Sequence, residues 1–120
     1  MGQIQLEPTA AGEERRGNRR AAVRYQCPPA TPTKLYFPQD QEFQRAWVID
    51  LSLSGIGLNM ARPLPVGTFL VILLKSSDRQ KTFELPAHIV HTTMAPNGDW
   101  IAGCEFTTRL NEDDLSLLLD

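Results

Sequence analysis

A cluster of arginines near the N-terminus is the densest concentration of one chemistry in the chain. Arg15, Arg16, Arg19, Arg20 and Arg24 fall within a span of ten residues. The planar guanidinium fork pairs with phosphate oxygens, or with O6 and N7 of guanine. In an extended segment, Arg16 and Arg20 would lie about 13 Å apart on one side of the chain. The cluster could therefore hold both ends of an anionic ligand, or it could be a solvated basic loop.

A second candidate is the segment 50–55, Asp-Leu-Ser-Leu-Ser-Gly, between two strand-like segments. Asp50 and Ser52 have the same parity, so both could project from one face. A carboxylate can accept the paired N1 and N2 hydrogens of guanine, and a hydroxyl can serve a phosphate or a neighbouring amide. Gly55 permits an unusual backbone shape or the close approach of a ligand. The alternative is an Asp/Ser turn that satisfies only its own backbone.

The elements that must position these residues read as short strands joined by turns. Nine prolines and eight glycines favour many short elements. Residues 111–119 predict a helix capped by Asn111. Strands at this spacing predict an antiparallel barrel or sandwich. The six segments with strand composition or alternation are residues 33–37, 43–49, 55–60, 69–75, 83–93 and 100–106.

Several other residue types suggest chemistry that their context disfavours. His88 and His91 would face opposite sides of a regular strand, with His91 on the buried face, so we expect no metal site. Cys104 lies in an apolar segment and is predicted to be a packing residue. Trp47 and Trp100 have apolar neighbours, which predicts core positions. No constellation of catalytic residues is present, so we expect a binding domain and not an enzyme.

Composition narrows the class of partner. The formal net charge is −2 and the pI is about 5.6, which argues against a nucleic acid polymer. Two cysteines do not form a disulfide framework, which suggests a reducing compartment. The longest apolar run, residues 69–74, is too short to cross a bilayer, and the N-terminus lacks an apolar signal region. We therefore expect a cytoplasmic protein that does not insert into membranes.

Together, the two motifs resemble those of the PilZ family. Residues 16–20 have the RxxxR form, and residues 50–55 have the DxSxxG form, in the family's order and at about its separation. The lead-in Glu14-Arg15-Arg16 and the later Gly103-x-x-Phe106 are also similar to that family. The resemblance runs from Glu14 to the C-terminus. Arg15 and Arg19 also satisfy RxxxR, so this second frame stays open, although the lead-in favours the frame of Arg16 and Arg20.

The resemblance implies a six-stranded antiparallel PilZ-type β-barrel with a C-terminal helix, mainly all-β. It divides the chain into a flexible segment over 1–13 and a PilZ-like domain over 14–120. Within that domain, residues 14–24 would be an arginine switch loop, 33–106 the barrel and 111–119 the helix. The implied function is a receptor for cyclic di-GMP that orders this loop over its ligand and signals to a downstream protein or a fused domain.

The resemblance also implies roles for individual residues. Arg16 and Arg20 would contact guanine edges and phosphates, with Arg19 adding charge in the same loop. Asp50 and Ser52 would hold the other side of the ligand, and Gly55 would shape the turn. A basic residue at Arg15 accompanies binding of a stacked ligand dimer, which favours two ligands per domain. No cofactor or metal is implied beyond cyclic di-GMP itself.

Two other functions remain open from the residues. One is a ligand-independent PilZ-like interaction module in which the arginines meet an acidic partner. The other is a small barrel that binds single-stranded RNA. The acidic pI disfavours the latter, as does the lack of aromatic residues interleaved with the basic ones.

Overall fold

The computed structural model describes residues 6–7 and 23–119. The predictions made for Arg15, Arg16, Arg19 and Arg20 therefore lie outside the described residues. Asp50, Ser52 and Gly55 lie within them.

The described residues form one antiparallel sheet that closes into a barrel. The strand order is β1-β2-β3-β4-β7-β6-β5, and the pairing of β2 with β5 closes the ring. The antiparallel barrel with a terminal helix predicted from the sequence is confirmed. The elements are β1 (Leu6–Glu7), β2 (Arg24–Phe37), β3 (Glu42–Leu51), β4 (Gly55–Met60), β5 (Phe69–Lys75), β6 (Thr82–Met94), β7 (Trp100–Phe106) and α1 (Glu112–Leu119).

Alternation along the strands builds the interior of the barrel. In β4, Ile56, Leu58 and Met60 are fully buried, while Gly57 and Asn59 belong to the outer face. The same period of two runs through β5, where Leu70, Ile72 and Leu74 point inward. These side chains form one continuous apolar core with those of the other strands. The outer face is left free for polar and functional groups.

Strand β2 begins at Arg24, nine residues before the predicted start at 33. The sequence did not predict the first part of this strand, because the prolines at 28 and 29 have no amide hydrogen for a sheet ladder. The ladder to β3 is interrupted between Gln26 and Thr31, and both prolines lie in this interval. Leu6–Glu7 pairs with Tyr25 and Arg24, so two residues of the segment expected to be flexible form a short strand.

Two β-bulges change the side to which the following residues point. In β3 the register passes from Val48 opposite Leu58 to Asp50 opposite Gly57, which leaves Ile49 as the extra residue. In β6 it passes from Ile89 opposite Cys104 to His91 opposite Gly103. The prediction that His91 shares the buried face of Ile89 is therefore wrong, because the bulge turns His91 outward. His88 and His91 consequently lie on the same, outer face.

Neither tryptophan occupies the core, contrary to the sequence expectation. Trp47 is 37% exposed on the outer face of β3, opposite Pro32. Trp100 is half-buried at the start of β7. The neighbours of Trp47, Ala46 and Val48, point inward, since alternate residues of a strand face opposite sides. Trp100 has the parity of the inward residues Ala102 and Cys104, but it lies at the end of its strand, where it is only half-buried.

Helix α1 follows the last strand and packs against the barrel. Asn111 Oδ1 accepts a hydrogen bond from the amide of Asp114 at 2.7 Å, which confirms Asn111 as the N-cap. Leu115 is buried against the barrel. The amide of Ser77 donates to the carbonyl of Leu117 at 3.0 Å and so satisfies the last turn. No helix within the described residues has both the length and the apolar character that a bilayer crossing requires.

Candidate ligand-binding surface

The turn between β3 and β4 is built around Ser52. Its side chain is buried, with 1% of its surface exposed. Its Oγ accepts hydrogen bonds from the amides of Ser54 at 3.3 Å and Gly55 at 3.2 Å. The amide of Ser52 donates to the carbonyl of Gly55 at 2.9 Å and closes the turn. In this arrangement Ser52 shapes the loop, and its hydroxyl serves neighbouring amides.

Gly55 is required where β4 meets β7. A Cβ at this position would overlap the carbonyl oxygen of Cys104 on the neighbouring strand. That backbone atom cannot move aside without disturbing the ladder, so only glycine allows this close approach. Gly55 therefore fixes the turn against the sheet beneath it.

Asp50 points outward at the end of β3, next to this turn. Its Oδ1 accepts a hydrogen bond from Arg24 Nη1 at 2.7 Å, and the side chains of Arg24 and Asp50 are 46% and 21% exposed. The bulge at Ile49 makes this possible, because a regular strand would direct Asp50 inward after Ala46 and Val48. The carboxylate is thus held on the surface with one strong partner and accessible to solvent.

Two neighbouring glycines lie between Asp50 and His91 on the outer face of the barrel. Gly57 lies opposite Asp50 on β4, Gly103 lies opposite Gly57 on β7, and His91 lies opposite Gly103 on β6. A Cβ on Gly57 would come within 2.7 Å of Asp50 Oδ1, and a Cβ on Gly103 would overlap the ring of His91. The side chains of Asp50 and His91 thus rest over the two glycines. We call Asp50, Gly57, Gly103 and His91 the glycine strip.

The charge of Asp50 affects a nearby thiol. Burial raises the pKa of Cys27 to about 11, and the Asp50 carboxylate contributes to the rise. Burial alone raises the pKa of Cys104 to about 12. Both thiols are therefore protonated at neutral pH and are poor nucleophiles. Cys104 packs in the core as predicted.

Other polar groups on the outer face complete the surroundings. His88 Nε2 lies 3.5 Å from Glu105 Oε1, beside the glycine strip. Among the described residues, no group of three or more His, Cys, Asp or Glu side chains is placed to hold a metal ion. The chemistry of this face is therefore hydrogen bonding and charge pairing above the glycine backbone.

The sequence motif located one end of this surface and missed the rest. Asp50, Ser52 and Gly55 come together at one turn, but only Asp50 presents a side chain to the outer face, since Ser52 is buried and Gly55 has no side chain. Gly57 follows Gly55 by two residues, a spacing that puts both on the outer face of a strand. The outward position of His91 could not be predicted, because the alternation of apolar residues does not reveal a β-bulge.

A family comparison decides the classification. The model of the PilZ domain matches residues 14–120. The chain belongs to the PilZ family. The resemblance based on the RxxxR and DxSxxG motifs is thereby confirmed. No curated protein sequence matches the chain significantly.

Solved structures share the PilZ fold at low sequence identity. The Bacillus subtilis inhibitor of motility, MotI/DgrA, is 19% identical with a TM-score of 0.65, over 83% of this chain and 48% of that one. The PilZ domain with c-di-GMP of YcgR from Escherichia coli is 20% identical with a TM-score of 0.58, over 74% and 78%. YcgR in complex with c-di-GMP is 20% identical with a TM-score of 0.62, over 82% and 42%. The chain therefore spans about half or less of the MotI/DgrA and longer YcgR chains.

Proposed function

We propose that this PilZ domain is a cyclic di-GMP receptor. The observation that carries the proposal is the glycine strip, where the outward Asp50 carboxylate and the His91 ring lie over two glycines of adjacent strands. Asp50 can accept the N1 and N2 hydrogens of a guanine edge, and a flat purine that displaces the His91 ring can approach the glycine backbone closely. The fold shared with a YcgR domain described with c-di-GMP supports this choice of ligand.

Asp50 changes partner when ligand binds. Its Oδ1 is engaged by Arg24 in the structure, at 2.7 Å. An exposed ion pair of this kind contributes about 0–1 kcal/mol, so a guanine edge can share or replace it at small cost. Ser52 and Gly55 maintain the turn from which the carboxylate projects. We assign Ser52 a positioning role in this conformation, because its hydroxyl is occupied by the turn's own amides.

The arginine segment supplies the opposing charge. A cyclic dinucleotide carries two phosphates, and Arg16 and Arg20 are assigned to its phosphates and guanine edges. Arg15 and Arg19 add positive charge for a second, stacked ligand. Arg24 itself belongs to β2, so the switch would be limited to the arginines ahead of that strand. Binding would fold this segment over the barrel, and the change would signal to a partner or a fused domain. The partial coverage of the longer YcgR and MotI/DgrA chains is compatible with either form of output.

One observation favours the second candidate, a PilZ-like interaction module that binds no nucleotide. The Asp50 carboxylate already has a cationic partner in Arg24, so its charge is satisfied without ligand. Titration with cyclic di-GMP separates the two functions, because the interaction module predicts no heat of binding.

The decisive measurement is calorimetric titration of wild type and Asp50→Ala with cyclic di-GMP. We expect the substitution to weaken binding by about 1–3 kcal/mol, roughly 5- to 150-fold, because one matched base contact is lost. The melting temperature should change little, since only an exposed ion pair is removed. Asp40→Ala is the matched control, because Asp40 lies in the exposed β2–β3 turn away from the strip.

Absence of binding to the wild type would refute the receptor function. Equal affinity in wild type and Asp50→Ala would remove Asp50 from the site. Unfolding of Asp50→Ala would instead show that the residue is a structural part of its turn.

A further inference from the structure

A second surface, which includes Trp47, lies on the outer face of β2, β3 and β5. Outward positions on β3 alternate as Phe43, Arg45 and Trp47, and the two aromatic rings are 59% and 37% exposed. Aromatic and basic residues are therefore interleaved on one face, an arrangement that the sequence reading did not find. Tryptophan is enriched at protein interfaces, because its large apolar ring system also carries an N–H donor.

Neighbouring strands extend this surface into a groove. Lys34 on β2 lies opposite both Arg45 on β3 and Leu73 on β5. We define the basic groove by Lys34, Arg45, Trp47, Leu73, Lys75 and Arg79, which line one continuous depression. The last residues of α1, Leu118 and Leu119, form its apolar wall. The groove thus combines an apolar floor with a basic rim.

The cations of the basic groove have no anionic partner among the described residues. The described residues form two ion pairs, Arg24 with Asp50 and His88 with Glu105, and both pairs lie outside the groove. Lys34 lies over the Phe43 ring at 5.6 Å, and Lys75 donates to Thr82 Oγ1 at 3.2 Å. These contacts leave the positive charge of both lysines uncompensated.

Two carboxylates border the groove without neutralising it. Asp78 accepts hydrogen bonds from the Ser76 hydroxyl at 2.7 Å and the Gln80 amide at 2.9 Å. Glu84 lies opposite Leu73 on β6. The lining of the groove itself carries four cations and no carboxylate, whereas the whole chain has a net charge of −2. The groove is therefore locally basic in an acidic chain.

We propose that the basic groove is a docking site for an acidic protein segment that carries an apolar anchor residue. Local positive charge attracts the carboxylates, and Trp47 with the Leu118–Leu119 wall accepts the anchor. A long nucleic acid fits less well, because it also meets the negative field of the whole chain. In addition, the Phe43 ring already packs against Tyr36, with ring centroids 4.9 Å apart, so this ring is occupied and does not offer a free stacking surface to a base.

The basic groove and the glycine strip lie on opposite sides of the outward residues of β3. The groove extends from Trp47 toward β2 and β5, whereas the strip extends from Asp50 toward β4 and β7. A nucleotide on the strip therefore leaves the groove open. This inference is independent of the proposed nucleotide binding, and the two can fail separately.

The test is selection of a displayed library of random 12-residue peptides on the wild-type domain. We expect enriched peptides to be rich in Asp and Glu around one or two large apolar residues. Arg45→Glu and Trp47→Ala should each weaken the enriched peptides at least about tenfold, a change of about 1.4 kcal/mol. Arg62→Glu is the matched control, because Arg62 is an exposed arginine outside the groove.

Four outcomes would overturn the proposal. Enriched peptides could be neutral or basic, or could bind Arg45→Glu and Arg62→Glu equally. A random 12-nucleotide single-stranded RNA could bind more tightly than the peptides and depend on Trp47, which would assign the groove to nucleic acid. Sedimentation could show wild-type dimers that Trp47→Ala dissociates, which would assign the groove to a second copy. Melting curves and cyclic di-GMP titration of each variant separate a folding defect, or failure of the nucleotide site, from these results.

Discussion

Asp50 and His91 owe their outward positions to one extra residue in the strand before each of them. Without the bulge at Ile49, Asp50 would follow Val48 into the core, where an unpaired carboxylate costs several kcal/mol (~3–5). The bulge in β6 does the same for His91 after Ile89. At the scale of single residues, the candidate site depends on two local irregularities and on the two glycines between them.

The substitution Gly103→Ala tests whether position 103 of the glycine strip must lack a side chain. We expect Gly103→Ala to weaken cyclic di-GMP binding roughly tenfold, about 1.4 kcal/mol, because the methyl group stands on the surface that the ligand covers. It should also displace the His91 ring, with which a Cβ would overlap. Titration and thermal melting of Gly103→Ala, His91→Ala and the double variant measure both effects.

The two effects separate in the double variant. The loss of stability in Gly103→Ala should shrink by about 0.5–1 kcal/mol when His91 is also Ala, because the overlap is gone. The loss of binding should remain. Wild-type affinity in Gly103→Ala would mean that the ligand does not lie on this strip.

At the scale of elements, the C-terminal segment holds two parts of the barrel together. The amide of Leu110 donates to the carbonyl of Leu53 at 2.9 Å, next to the β3–β4 turn. The end of α1 is tied to the β5–β6 turn through Ser77 and Leu117. The C-terminal segment therefore links the turn next to Asp50 with the wall of the basic groove, and the two surfaces also share strand β3.

Asn111→Ala tests the anchoring of this helix. The N-cap bond to the Asp114 amide, at 2.7 Å, would be lost, and we expect about 1 kcal/mol less stability. For a domain of this size that lowers the melting temperature by roughly 3–6 °C. Thr108→Ala, an exposed loop change two residues before Leu110, is the control. Equal melting temperatures for Asn111→Ala and wild type would show that the cap contributes nothing.

At the scale of the whole molecule, we expect positive charge to serve two separate sites of an acidic chain. The arginines ahead of β2 would serve the glycine strip, and the basic groove lies on the other side of β3. The barrel is closed by β2 and β5, so both surfaces belong to one sheet. We therefore expect that a nucleotide and a protein segment can bind the same domain at the same time.

Arg15→Leu tests the proposed stoichiometry. Two stacked cyclic di-GMP molecules bring four phosphate charges into a small volume, so their repulsion must be offset by nearby cations. We expect two ligands per wild-type chain and a ratio closer to one in Arg15→Leu. Added salt should weaken binding, because the contacts are partly exposed. Calorimetry of both proteins measures the ratio, and an identical ratio in the two would exclude Arg15 from the site.

The buried thiol of Cys104 should make the free energy of unfolding fall as the pH becomes alkaline. Its pKa is about 12 in the folded protein and 9.0 as an ordinary thiol. Between these values the unfolded chain loses a proton that the folded chain keeps, so the free energy of unfolding falls as pH rises. The stability difference between wild type and Cys104→Ala should therefore narrow by about 1–2 kcal/mol from pH 8 to pH 10.5. Urea unfolding under reducing conditions measures it; a constant difference would contradict the burial of this thiol.

Strands β3 to β7, the capped helix and the Asp50 turn could all be predicted from the sequence alone. Each of these rests on local information, namely alternation of apolar residues, turn residues and a capping Asn. Motif spacing also identified the PilZ family. The start of β2 was missed because its prolines act against a strand unless the ladder is interrupted at that point.

Only the tertiary structure decided which residues meet on the outer face. Gly57, Gly103 and His91 are distant in sequence and become neighbours through strand pairing and a bulge. Phe43, Arg45 and Trp47 form a surface only because β2 and β5 bring Lys34 and Leu73 beside them. Alternation tells which residues share a face of one strand, but the register between strands is set by long-range packing. Both candidate surfaces of this protein are products of that register.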